Sequence, residues 1–556
     1  MNKFIVFFCV LFLFSCKKKA PKEIITDIQE REIFETSKAI SLSDTTQVAI
    51  SQLIINDSFS RKKITQQVIQ FYKKNDYKTR WLYDNRPAKL FYSYLQALES
   101  VELYGLNSNT YQKNELTNTV EKLYKNPEKT EIERLDRNIT ASFLLLTHHL
   151  INGRIPKVGN EKHIWKRTFL KQDNVEILLK LTDDENLVEV IDAMQPQILL
   201  YQQLALKYKE LQNKEIDSIE KFSIPNVKNF QIGYKDISIL TLRKNLKIRG
   251  FDTEPVIAPD VVDSLLIMKV IDFQKNNALA PDGIPSKRTL RILNMTNEEK
   301  RKLLILNMER IRWLYRELGE NYIIVNIPEF KLKFFNKDSL RFQTNVVVGT
   351  NETPTPIFTD TLKYVEFRPT WSVPQSIVRK EMIPQIVKEN NPMKYAKRGY
   401  KLYENDKEID PNSVDWTDNE NLRKRVFYFV ESPSEKNSLG LVKFILTNDM
   451  SIYLHDTPSK KLFDREERAF SHGCIRVENP DEFALQLLEK QGDWNYEKVF
   501  EAMNVGKNQN RIRLKTKYIV DIIYLTTWVD EKNNLIIGND VYLFDNEQLK
   551  QLESFF

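Results

Sequence analysis

The spacing of apolar residues changes once along this 556-residue chain, near residue 320, and that change limits the folds open to it. Upstream, apolar residues recur at helical spacing: Val68, Phe71 and Tyr72, then Leu90, Tyr94, Leu95 and Leu98. A further helix runs through Ile139, Phe143, Leu144 and His148, and Gly153 and Pro156 end it. From Asn321 the pattern is that of strands. Tyr322 to Ile327 is a near-continuous apolar run, Phe330, Leu332 and Phe334 alternate, and Phe342, Thr344, Val346 and Val348 form a strand closed by Gly349. The expected fold is therefore multidomain α+β, with a helical N-terminal part and a mostly-β C-terminal part. The length fits roughly three or four domains at about 150 residues each.

Between the two regimes, residues 237–295 read as a compact unit. Leu240, Leu242 and Leu246 precede a helix stop at Arg249-Gly250, and Val261, Leu265, Val270 and Phe273-Gln274 lead into Pro281-Asp282-Gly283 and Thr289-Leu290. A helix from Glu298 to Leu318 follows. In the C-terminal part, Val365, Phe367, Pro369 and Trp371 resume the sheet, and the polar stretch from Asn390 to Glu420 reads as an insertion. Strands return at Val426-Tyr428-Val430 and Val442-Phe444-Leu446, and Met450, Ile452 and Leu454 bring the chain to His455. Pro480 to Lys490 reads as a helix, and Tyr518–Leu525, Leu535–Ile537 and Val541–Phe544 as closing strands.

The N-terminus reads as a targeting segment. Phe4 to Phe14 is an apolar run of eleven residues between Lys3 and Lys17-Lys18-Lys19. A spanning helix needs about 20, so the run has the layout of a secretory signal peptide. Leu13-Phe14-Ser15-Cys16 resembles the bacterial lipoprotein box, which implies lipidation at Cys16 and a membrane anchor. Residues 1–16 would be the signal, 17–56 a tether and 57–221 a helical scaffold. By resemblance to lipoproteins the expected location is the cell envelope, facing the periplasm, on the outer membrane.

Composition excludes little: 41% apolar, 29% charged and a net charge of +7. No basic patch with interleaved aromatics points to nucleic acid. Cysteine usage says more. The chain has three cysteines and five histidines, and Cys9 and Cys16 fall in the leader. Cys474 is left as the only thiol of the folded part, so it cannot enter an intramolecular disulfide there. It stands in Ser471-His472-Gly473-Cys474-Ile475-Arg476-Val477, just after Tyr453-Leu454-His455-Asp456-Thr457-Pro458.

A thiol attacks a carbonyl well as thiolate, and a nearby imidazole can take its proton. His472, two residues before Cys474, points the same way in extended chain. His455 ends a strand and can lie across from the cysteine turn. The spacing favours neither as base. Gly473 permits the tight backbone that lets main-chain N–H groups face an oxyanion. Arg476 is placed to hold a carboxylate. His455, His472 and Cys474 could also form a three-ligand zinc site, but with no second nearby cysteine, no HExxH and no CxxC the spacing fits zinc poorly, so no metal or cofactor is expected. His148, His149 and His163 read as structural.

A histidine, about fifteen residues, then Ser/Thr-His-Gly-Cys resembles the catalytic domain of the YkuD-type L,D-transpeptidases. Here it stands as His455 and Ser471 to Cys474. Leu439-Gly440, Val442-Lys443-Phe444 and Arg476-Val477 resemble the large branch of that family. Residues 237–295, with Phe273-Gln274, Asp282-Gly283 and Thr289 in that order, resemble a three-helix peptidoglycan-binding domain. The resemblance implies a scaffold domain, a catalytic domain over 320–545 and a lid insertion over about 375–440, lined by Trp371, Tyr395 and Tyr400. It implies Cys474 as nucleophile and His455 as base, with His472 and Gly473 shaping the oxyanion pocket. Arg476, Tyr453 and Ser471 would bind substrate. The implied partners are peptidoglycan stem peptides, a donor tetrapeptide and an acceptor amine, and carbapenem-type inhibitors. The implied reaction is a 3–3 cross-link with release of D-Ala. An L,D-carboxypeptidase or amidase on the same scaffold, or a non-catalytic wall-binding lipoprotein, remain open.

Overall fold

The computed structural model describes residues 38–42, 53–55 and 57–555, apart from short internal stretches at 127, 157, 160–162, 167–172, 214–217, 256, 315–317, 338 and 418. Cys16, the leader and most of the 17–56 tether lie outside the described residues. Among the described residues no helix is long and apolar enough to cross a membrane.

The helical part is built round the 24-residue helix Lys129–Asn152, in which every residue from Leu135 to Asn152 is buried. A helix enclosed on all sides must satisfy its polar residues internally. Asp136 does so by accepting from the Tyr72 hydroxyl at 2.5 Å and from the amides of Trp81 at 2.7 Å and Leu82 at 2.9 Å. It thereby pins the strand Lys78–Tyr83, which helical periodicity did not reveal.

Three helices, Ser238–Ile248, Ser264–Asn276 and Lys287–Leu293, close round Leu242, Leu246, Leu266, Val270 and Phe273. Gln274 is turned into its own fold: its amide donates to Asp282 Oδ1 and the Ile284 carbonyl, both at 2.9 Å, and accepts from the Gly283 amide at 2.8 Å. The Phe-Gln and Asp-Gly pairs thus lock a turn. The helix Asn297–Ile311 follows, opened by a capping box of Thr296 and Glu299. Its buried Glu309 pairs with Arg154 at the end of the scaffold helix (3.2 Å) and with Arg312 (3.0 Å), which fastens the two parts together.

Among the described residues, nine strands make the C-terminal sheet. In chain order they are β1 (Asn321–Asn326), β2 (Lys331–Asn336), β3 (Ser339–Gly349), β4 (Phe358–Phe367), β5 (Val442–Leu446), β6 (Leu454–His455), β7 (Ala469–Ser471), β8 (Ile475–Val477) and β9 (Asn510–Ile523). In space they run β7-β3-β8-β6-β5-β4-β9-β1-β2, and β2 also pairs with β3, so the sheet closes on itself. One face carries the apolar residues of the strands into the main core: Val365, Phe444, Leu454, Ile475 and Val477 are all buried there.

Two expectations change. Val426 to Val430 and Trp371 do not belong to this sheet. Trp371–Ser372 and Phe427–Glu431 join Tyr400–Glu404 and Lys407–Ile409 in a separate four-stranded sheet. That insertion has its own apolar core, including Val378, Ile386, Leu402, Trp416 and Phe429, so its strands have somewhere else to bury their faces. Val541 to Phe544 is not a strand either. Tyr542 places its polar groups on side-chain and loop partners instead, its amide donating to the Tyr524 hydroxyl at 2.7 Å and its own hydroxyl to the Gly349 carbonyl at 3.0 Å. A helix, Phe544–Leu552, follows.

Candidate active site

Strand register assembles the site. Lys443 of β5 pairs with His455 of β6, and His455 pairs with Arg476 of β8. On the other side Lys443 pairs with Glu366 of β4, and Glu366 with Arg511 of β9. Residues in register across neighbouring strands share a face. Arg511, Glu366, Lys443, His455 and Arg476 therefore form one polar row across five strands, on the face away from the apolar core. Two residues back along the chain, Tyr453 and Cys474 stand on that same face, and the Ile475 amide donates to the Tyr453 carbonyl at 3.1 Å to hold them side by side.

The cysteine turn is held from within. The Ser471 hydroxyl donates to the Cys474 carbonyl at 2.5 Å and accepts from the Gly473 amide at 3.2 Å. Ser471 is buried, so this residue, expected among the substrate contacts, shapes the turn instead. Gly473 has φ +114°, yet a Cβ there would find nothing closer than 3.5 Å. The backbone conformation, not crowding, is what calls for glycine. The Thr355 hydroxyl ties down the Gly473 carbonyl at 2.8 Å.

His455 is buried, and its Nδ1–H donates to the Asp456 carbonyl at 2.5 Å. The Leu439 carbonyl is in hydrogen-bond reach of the ring as well, so two main-chain acceptors orient the imidazole. Burial, then the Arg476 charge and more weakly that of Lys443, push the ring down to about 3, against the hydrogen bonds to the Asp456 and Leu439 carbonyls. The imidazole is neutral at rest. The Asp456 carboxylate fixes the loop, accepting from the Leu441 amide at 2.9 Å, the Thr457 amide at 2.6 Å and Lys460 Nζ at 2.7 Å.

Cys474 is half-buried, with Sγ 3.7 Å from the Ser451 carbonyl. Burial pushes its thiol up, while Tyr453, Lys443 and Arg476 pull the other way. The Tyr453 hydroxyl is in hydrogen-bond reach of the sulfur and of the Trp371 side chain, and burial holds it protonated. Its ring lies 5.7 Å from the His455 ring, with Lys443 Nζ 3.9 Å above it. The structure thus brings together Cys474, His455, Tyr453, Gly473 and Arg476. It sets His472 apart: the ring faces outward and donates through Nε2 to Glu381 Oε1 at 2.8 Å. Glu381 sits in the insertion, on a single wide turn, Val378–Met382. Sequence reasoning gave no role to Lys443, Glu381 or Ser451. Only Lys443 carried a signal, a polar residue in an otherwise apolar strand. Of the histidines outside the cysteine region, His149 lies between Tyr111 and Asp57, and His163 packs on Phe544. Among the described residues no group of three or more His, Cys, Asp or Glu side chains is gathered as a metal ion would require.

Comparison with known proteins meets this geometry. Residues 320–505 match the family described as "L,D-transpeptidase catalytic domain" (YkuD), 66–206 a "Scaffold domain" and 236–293 a "Putative peptidoglycan binding domain". A curated relative from Haemophilus influenzae, named "Putative L,D-transpeptidase", is 30% identical over 285 residues, 50% of this chain and 56% of its own. The chain thus spans little more than half the length of that relative. Solved structures include an L,D-transpeptidase from Mycobacterium smegmatis (14% identity, 36% of this chain and 58% of that one, TM-score 0.18). Another is that from Stackebrandtia nassauensis (13%, 53% and 94%, TM-score 0.19). Likenesses that low carry no argument. The family matches do: the chain carries the catalytic domain of the YkuD-type L,D-transpeptidases, together with a scaffold domain and a peptidoglycan-binding domain.

Proposed function

We propose that the chain is a cell-wall L,D-transpeptidase that forms 3–3 cross-links between peptidoglycan stems through a thioester on Cys474. The observation that carries this is the register that sets a neutral imidazole and a lone thiol on one polar face of the sheet. The Cys474 proton passes to the His455 imidazole as sulfur bonds to the carbonyl carbon of the third residue of a tetrapeptide stem. The resulting oxyanion is met by the Cys474 backbone N–H and the Tyr453 hydroxyl. The Gly473 N–H is already given to Ser471, so it is not a donor here. The intermediate collapses, the C–N bond breaks, and His455 returns the proton to the departing D-Ala amine. An acceptor amine then attacks the thioester, yields its proton to His455, and frees the sulfur. The insertion, tied to the cysteine loop by His472 and Glu381, keeps water from the thioester meanwhile.

The family matches support peptidoglycan as substrate. The leader supports an anchor at Cys16 that holds the chain to an envelope membrane, facing the periplasm. Carbapenems should acylate Cys474. The test mixes the full chain with a disaccharide-tetrapeptide and reads products by mass, beside Cys474→Ala. A cross-linked dimer absent from the variant supports the proposal. Tripeptide without dimer makes the chain a carboxypeptidase, and binding without turnover makes it a wall-binding lipoprotein.

A further inference from the structure

The polar row across the sheet holds more positive charge than it can neutralise. Its five residues include three permanent cations and one carboxylate, and Arg511 holds that carboxylate, with Nε 2.7 Å and a terminal nitrogen 2.5 Å from Glu366 Oε2. Glu366 also acts on Lys443 across the strand pair, but one carboxylate shared with Arg511 does not balance three cations, and Arg476 has none beside it. Lys443 and Arg476 are both half-buried, and among the described residues neither makes an ion pair. The Lys443 ammonium lies over the Tyr453 ring, and Arg476 Nε is buried without an acceptor. Among the described residues of the insertion, the acidic group that contacts the cysteine loop is Glu381, and His472 engages it. Half-buried cations that outnumber their carboxylates are costly, and a buried donor without an acceptor adds to that cost. Such an arrangement persists where the site is built to receive an anion.

Their position says which anion. Lys443 and Arg476 are the in-register neighbours of His455 on its two sides, each roughly 4.8 Å away across a strand pair. Their side chains can close over the imidazole from both flanks, next to the sulfur. A donor peptide cut one residue before its C-terminus brings a carboxylate about 4 Å from the scissile linkage, one residue's length. We propose that Lys443 and Arg476 form a two-cation clamp that holds this terminal carboxylate beside the Cys474–His455 pair. Lys443 is then a specificity residue with no part in the bond-making steps. This rests on the peptidase-type reading of the site above, extends it to a residue with no assigned role, and predicts that the donor must end in a free acid.

The clamp can be tested without turnover. Two stem tetrapeptides, identical except for a C-terminal carboxylate or primary carboxamide, are titrated by calorimetry into the full chain carrying Cys474→Ala. The acid should bind at least about tenfold tighter than the amide, the scale of a charge-assisted contact. Adding Lys443→Met should remove most of that preference by weakening the acid alone, and Lys443→Arg should keep it. Equal binding of acid and amide by the Cys474→Ala chain overturns the clamp. So does an equal loss for both peptides in Lys443→Met, the result expected if Lys443 only supports the fold. If the acid preference holds while the chain with Cys474 intact makes no dimer, the transpeptidase reading falls and the clamp stands.

Discussion

The two faces of one sheet do different work. On β5, β6 and β8 the residues Phe444, Leu454, Ile475 and Val477 point into the main core. Their immediate neighbours Lys443, His455, Cys474 and Arg476 stand on the opposite face. Alternation along a strand makes this division nearly absolute, because each step along the chain changes face. The inner face is held by apolar burial and tolerates no charge. The outer face holds charges that no packed core would accept. A single residue's shift in the register of β8 against β6 would exchange Cys474 for Ile475, burying the thiol and exposing the core.

The sharpest break between the faces is at Cys474. Cys474→Ala should abolish acylation by substrate and by a carbapenem, read as loss of the mass adduct, while the denaturation midpoint stays put. Phe444→Ala tests the opposite face. Phe444 is buried and packs 4.7 Å from the Phe483 ring, so its truncation should cost about 3–5 kcal/mol of stability, seen as a lower denaturant midpoint. Turnover per folded molecule should change little. A large drop in turnover with stability intact would show that the faces are coupled more tightly than alternation implies.

His455 lies on the border, since it is buried and yet part of the chemistry. The folded protein holds its ring at about 3, whereas an unfolded histidine titrates near 6.5. Between those values the unfolded chain binds the extra proton, so stability rises with pH there and is lost as pH falls from about 6.5 towards 3. Above 6.5 both states are neutral and the contribution is complete. His455→Gln should flatten that part of a stability-against-pH curve, measured by urea denaturation. An unchanged slope would mean that other groups set the acid sensitivity.

How much of this the chain discloses in advance depends on whether the controlling contacts are local. The Gly473-Cys474 turn and the change of period at Asn321 are local features of the sequence, whereas the choice of His455 over His472 as base comes from the family resemblance, because spacing favours neither. Lys443 shows in the sequence as a polar residue in an apolar strand, but its place in the site does not. Its partner His455 is twelve residues away and its other neighbour Glu366 is far back on β4, so only register makes the row visible. The strand Phe427–Glu431 alternated correctly but was assigned to the wrong sheet, because periodicity gives a strand's faces and not its neighbours. His472 looked like a partner of Cys474 on i, i+2 grounds. The left-handed Gly473 between them breaks the extended geometry on which that expectation rests.

The smallest expected effect lies where the outer face meets the insertion. His472 and Glu381 are 2.8 Å apart, but their side chains remain 47% and 43% exposed. A contact so open to water is worth less than about 1 kcal/mol, so losing it should shift a balance and not abolish activity. Glu381→Gln should raise hydrolysis of the thioester to tripeptide by a few-fold relative to dimer, because the insertion opens more often before the amine arrives. His472→Gln should give the same shift. Two residues acting through one contact do not add, so the double variant should match either single one. Additive effects would mean that His472 also acts on the cysteine turn directly. An unchanged product ratio in all three would leave the insertion held by the strand pairing of Trp371–Ser372 with Phe427–Glu431 alone.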